Sequence, residues 1–135
     1  MIYFDNSATT LKKPDTVAKA VFDAINSFAN ASRGSYELSL NSERVILDTR
    51  EKIVKLFNGY SPNYVAFTSN STEALNTAIK GILNKNSHVI TTSLEHNSVL
   101  RPLYEMETLG TELTIIKANN KGELNYNDIE KSIKQ

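Results

Sequence analysis

Residues 65–116 read VAFTSNSTEALNTAIKGILNKNSHVITTSLEHNSVLRPLYEMETLGTELTII, and this stretch decides the fold. Three short β-branched runs stand in it: Val65-Ala66-Phe67, Val89-Ile90-Thr91-Thr92 and Leu113-Thr114-Ile115-Ile116. Their starts are 89 − 65 = 24 and 113 − 89 = 24 residues apart, which leaves room for a helix in each gap. Leu75, Ala78, Ile79 and Ile82 supply a helical apolar stripe in the first gap, and Val99, Leu103 and Met106 supply one in the second. Strand, helix, strand, helix, strand predicts right-handed crossovers and an α/β fold of three layers, a mainly parallel sheet with flanking helices. The two halves share no motif, so the equal spacing is not a repeat.

Toward the N-terminus, Val17, Val21, Ala24, Ile25 and Phe28 follow Pro14 at helical spacing and predict a helix over about 14–28, with the proline in its first turn. Residues 29–36, around Arg33-Gly34, read as a loop. Ile46, Thr49, Ile53 and Phe57 then give a longer amphipathic helix closed at Asn58-Gly59, with the glycine expected in the left-handed cap. Toward the C-terminus, Ile129 and Ile133 mark a last short amphipathic segment. The organisation expected is an arm, helix and loop over 1–36, then the long helix and a βαβαβ unit over 37–135.

Fifteen basic residues balance fifteen acidic ones, so no global field draws the chain to nucleic acid. Short clusters such as Lys12-Lys13 and Glu51-Lys52 read as solvated helix faces. With no cysteine, disulfides, thiolate metal sites and a cysteine nucleophile are excluded from these 135 residues, and no metal site is expected. No apolar run approaches the roughly 18 residues that span a bilayer, and no secretory signal precedes Asp5, so a cytoplasmic protein is expected.

Two loops carry the chemistry. Thr68-Ser69-Asn70-Ser71-Thr72-Glu73 places hydroxyls where the backbone enters a helix, whose free amides and positive dipole end suit an anion such as a phosphate. On composition alone the same residues read first as a helix cap, with Asn70 or Ser71 capping and Glu73 in the first turn, and the two roles are compatible. Ser93-Leu94-Glu95-His96-Asn97-Ser98 follows the next strand at the edge where open α/β sheets bind ligands. His96 there could stack on an aromatic cofactor, move protons, or simply cap a helix. His88, at the opposite strand end, reads as structural. Neither GxGxxG nor a Walker lysine pattern occurs.

Four stretches in order are similar to the cysteine desulfurases and related class V aminotransferases, pyridoxal-phosphate enzymes of fold type I: Tyr3–Thr10 (YFDNSATT) with Lys13-Pro14, Asn30–Gly34 (NASRG), Phe67–Asn76 (FTSNSTEALN) and Val89–Pro102 (VITTSLEHNSVLRP). The resemblance implies the N-terminal portion of the large, cofactor-binding domain. It implies that Ser71 and Thr72 bind the phosphate of pyridoxal phosphate, and that His96 stacks on the pyridine ring and transfers protons. It further implies that Asn6, Ala8, Thr9 and Arg33 line the substrate side, partly across a dimer interface. The aspartate that pairs with the pyridine nitrogen, the cofactor-bearing lysine, the nucleophilic cysteine and the substrate-carboxylate arginine are expected beyond this segment. Lys117 and Lys121 read as surface residues.

The partners so implied are L-cysteine or a related amino acid, a second copy of the chain and a sulfur-acceptor protein; nucleic acid and membrane are not expected. Many family members have glycine where this chain has Asn70 and Ser71, and some desulfurases have histidine where it has Tyr36, which leaves the exact substrate open. The alternatives are a self-contained α/β anion-binding module and an assembly module without ligand. In the family's sheet, later strands lie between the first and second, so a chain of this length is expected to pair its three strands with one another or, as the exposed apolar helix faces favour, with a second copy.

Overall fold

The computed structural model describes residues 2–31 and 34–134, and these fall into two compact units, Met1–Ala66 and Phe67–Gln135. The first unit is helical. After a turn in which Ala8 and Thr9 donate their amides to the Asp5 carbonyl, helix α1 spans Asp15–Ser27 and helix α2 spans Glu37–Phe57. Pro14 precedes α1 with extended ψ of 143° instead of sitting in its first turn, since the ring's fixed φ also suits the position before a helix. At the end of α2 the left-handed residue is Asn58 (φ 51°), not Gly59. Asparagine tolerates that region better than other side chains, and the Gly59 amide then donates to the Val54 carbonyl at 2.8 Å.

Ser39 and Ser42, the two buried residues of α2, do polar work in this unit. The Ser42 hydroxyl accepts from the Ala29 amide at 3.0 Å and donates to the Leu38 carbonyl, while Ser39 donates to the Asn30 carbonyl. They tie the residues after α1 onto α2. The apolar stripe of α1 stays open: Val17, Val21, Ala24 and Phe28, with Val45 of α2, line an exposed apolar cavity of about 580 Å³.

The second unit has the alternating pattern: α3 (Ser71–Ile82), β1 (His88–Thr92), α4 (Asn97–Thr108), β2 (Glu112–Ile116) and α5 (Tyr126–Ser132). β1 and β2 pair in parallel, with His88 opposite Glu112 and Thr92 opposite Ile116. Their starts differ by 112 − 88 = 24, the spacing seen in the sequence. α3 packs on α4, and α4 and α5 on β2. Leu103, Met106 and Ile116 form the buried apolar core, each worth about 1.5–3 kcal/mol of burial, beside the fully buried Pro102. Gly110 (φ 100°) turns the chain from α4 into β2 and lies against Lys85, where a Cβ would stand 3.3 Å from the lysine's own. His88 Nε2 meets Thr114 Oγ1 at 2.8 Å across the two strands, in keeping with a structural role.

The parallel sheet with flanking helices is therefore present, with one correction. The strand expected at Val65–Phe67 does not form, and among the described residues the sheet contains β1 and β2 alone. Val65 is extended, but its amide donates back to the Pro62 carbonyl at 3.1 Å, closing a 3-10 turn over Pro62–Tyr64. β-branched character marks a segment able to be a strand; a strand also needs a ladder partner. Of the two alternatives expected for the strands, pairing of all three runs with one another is not seen among the described residues; pairing with a second copy stays an expectation. Among the described residues no helix is long and apolar enough to cross a membrane, and no group of three His, Cys, Asp or Glu residues is placed to hold a metal ion.

Candidate functional site

In the second unit, the N-terminal ends of α3 and α4 face one polar cavity of about 340 Å³ lined by Thr72, Asn76, His96, Asn97, Ser98 and Arg101. Each end is built from its own short sequence. At α3, Asn70 is the cap: its Oδ1 accepts from the Glu73 amide at 2.9 Å, and Glu73 Oε2 accepts from the Ser69 amide at 2.8 Å. Thr68 Oγ1 donates to the Asn70 carbonyl at 2.9 Å, closing the turn. With Asn70 capping, Ser71 and Thr72 are the first two helical residues, whose amides have no carbonyl partner within the helix. Hydroxyls, free amides and the positive end of the helix dipole together suit a dianion.

At α4 the cap is His96 itself. Its Nδ1 accepts from the Ser98 amide at 3.1 Å and lies 2.9 Å from Ser98 Oγ, with the ring exposed. The turn that delivers it is pinned at both ends. Ser93 donates its amide to the Ile116 carbonyl and accepts from the Ala118 amide at 2.9 Å, and Thr92 Oγ1 donates to Glu95 Oε1 at 3.0 Å. An exposed Lys80–Glu105 pair at 2.6 Å links α3 to α4 and adds at most about 1 kcal/mol.

The structure thus brings together two of the residues singled out from the sequence, Thr72 and His96; Ser71 sits beside Thr72 but does not line the cavity. Asn6, Ala8 and Thr9 lie in the first unit, in a turn where Asn6 Oδ1 accepts from the Leu11 amide at 3.2 Å and the Thr9 carbonyl accepts from the Tyr3 hydroxyl at 2.8 Å. Arg33 lies outside the described residues. Sequence reasoning missed Asn76 and Arg101. Thr72 with Asn76, and Asn97 with Arg101, are spaced four apart on their helices, so a helical-face reading would have found both. Asn76 donates to the Thr72 carbonyl at 2.9 Å, and Arg101 brings a guanidinium to the lining.

Two helix starts, those of α3 and α4, thus meet at one polar cavity that includes a histidine and an arginine. The chain belongs to the class-V aminotransferase family, whose model matches residues 2–135. It is 32% identical to the cysteine desulfurase IscS of Plasmodium falciparum over 98% of its own length and 25% of that protein's. It is 31% identical to the cysteine desulfurase IscS of Dictyoglomus turgidum over 99% of its length and 34% of the relative's. Among solved structures, the cysteine desulfurase of Thermococcus onnurineus NA1 in its apo form superposes with a TM-score of 0.84 at 31% identity, covering 97% of this chain and 34% of that one. SspA in complex with cysteine gives 0.82 at 28% identity, covering 99% and 39%. The chain spans a quarter to two fifths of the length of these relatives.

Proposed function

We infer that the chain is the N-terminal part of a pyridoxal-phosphate-dependent cysteine desulfurase, and that it supplies one side of the cofactor site. The observation that carries this reading is the meeting of Thr72 and His96 at one cavity, within a chain similar to cysteine desulfurases over nearly its whole length. The residues present fit the group: hydroxyls and first-turn amides for a phosphate, an imidazole for a pyridine ring, and a cavity within the roughly 300–1,000 Å³ range of small-molecule sites. Ser71 and Thr72 would hold the phosphate, and His96 would stack on the ring and carry a proton. When bound, the cofactor supplies the electron sink that lets a bond beside an amino acid's α-carbon break.

Asn6, Ala8, Thr9 and Arg33 would line the substrate side, some of them across a homodimer interface. The substrate class is L-cysteine or a related amino acid. Its sulfur leaves as the C–S bond breaks and passes to a cysteine thiol of the same enzyme, giving alanine and an enzyme persulfide that serves a sulfur-acceptor protein in the cytoplasm. These 135 residues contain no cysteine, so that thiol lies in a longer protein, and we place the cofactor-bearing lysine there too. No specific feature favours the anion-module or assembly-module readings.

Borohydride reduction of the 135-residue chain with pyridoxal phosphate tests the assignment, because covalent catalysis needs a lysine that the phosphate turn cannot replace. The expected result is that no single lysine is labelled stoichiometrically, with at most scattered partial labelling of surface lysines. Stoichiometric labelling of one lysine in the chain would contradict it.

A further inference from the structure

Ser98 touches His96 twice, and the two contacts constrain the imidazole differently. The Ser98 backbone N–H, which can only donate, lies 3.1 Å from His96 Nδ1. The Ser98 hydroxyl lies 2.9 Å from the same nitrogen and can rotate to donate or accept. A ring nitrogen that accepts from an amide must present its lone pair, so a neutral imidazole in this position carries its proton on the other nitrogen. Beside an unprotonated Nδ1, the hydroxyl becomes a second donor to it.

We propose that Ser98 is a positioning residue that holds neutral His96 as the Nε2–H tautomer, leaving Nε2 as the ring nitrogen that exchanges a proton at the cavity. The division of labour follows from the fold: Nδ1 is spent on capping α4, and the ring nitrogen free of that bond is Nε2. What this means for a reaction rests on the cofactor reading above; the tautomer itself does not.

Long-range ¹H–¹⁵N correlation spectra of the full 135-residue chain, labelled at histidine and recorded at alkaline pH, report which ring nitrogen is protonated. Signals missing from a His96→Asn variant assign the ring, since His88 is the other histidine. The expected result is a dominant Nε2–H form. Ser98→Ala keeps the amide but removes the hydroxyl, and raises the share of the Nδ1–H form by about two- to tenfold, the change carried by one hydrogen bond of ordinary net strength. Ser98→Thr restores the wild-type ratio. A dominant Nδ1–H form in the wild type, or a ratio indifferent to Ser98→Ala, would overturn the proposal. The tautomer and its response to Ser98→Ala, found beside a full-length protein that takes up no pyridoxal phosphate, would sustain the proposal and remove the cofactor reading instead.

Discussion

The N-terminal ends of α3 and α4 face the same cavity but divide their work differently. At α3, capping and the proposed ligand holding fall to separate residues: Asn70 caps, and the anion role we propose belongs to Ser71 and Thr72. At α4 one residue has both tasks, because His96 caps the helix through Nδ1 while its ring lines the cavity. On the proposed roles, stability and function should be separable by single substitutions at α3 and entangled at α4, where only a replacement that caps without a ring can part them.

The largest effect is expected at the entangled end. In the full-length enzyme, His96→Ala should slow turnover about 10²- to 10⁴-fold, the usual worth of a placed proton-transfer group. It should also lower unfolding stability by about 1 kcal/mol through loss of the cap, read by denaturant titration. His96→Asn keeps a strong cap and should restore the stability without the rate. Loss of stability in both variants would break the comparison, because it would place the ring's importance in packing.

The next effect sits at the other end. Asn70→Ala removes the cap of α3 and should lower stability by about 1 kcal/mol, while Thr72→Ala should stay within about 0.5 kcal/mol of wild type. A Thr72→Ala variant as unstable as Asn70→Ala would mean that capping and ligand holding are not separate at α3.

Much of this was legible in the sequence because it is local. The cap at Asn70, the helix following each loop and the 24-residue spacing of the strands that form all depend on neighbours along the chain. Thr72 and His96 each stand at a helix start after a polar loop, which read by itself suits a cap as well as a site; the family resemblance is what singled them out for a cofactor. What was not legible depends on partners. Val65–Phe67 has strand character but joins no ladder with β1 or β2, and the left-handed residue at the end of α2 is Asn58 because that turn closes one residue earlier than glycine alone suggested. Arg101 stands four residues after Asn97 on one face of α4, so its place on that face was open to a helical reading. That this face meets the start of α3 is not a local property of the chain.

The smallest effect serves as a control away from both helix starts. Lys134 beside Glu112 holds that carboxyl below the usual carboxylate range, chiefly through their hydrogen bond. A carboxyl so lowered adds stability that is present above its unfolded-state range and is lost as pH falls through its folded value. Lys134→Ala should therefore trim stability slightly near neutral pH, and the difference from wild type should vanish in acid. A difference that persists at low pH would show that Lys134 acts by something other than its charge.

The central claim is that Thr72 and His96 serve one cofactor in different ways, and the most direct test is a pair of constants for each variant in the full-length enzyme. The account predicts that Thr72→Ala raises the Kd for pyridoxal phosphate with kcat at saturating cofactor nearly unchanged, and that His96→Asn lowers kcat far more than it raises that Kd. Equal changes in both constants from both substitutions would contradict it.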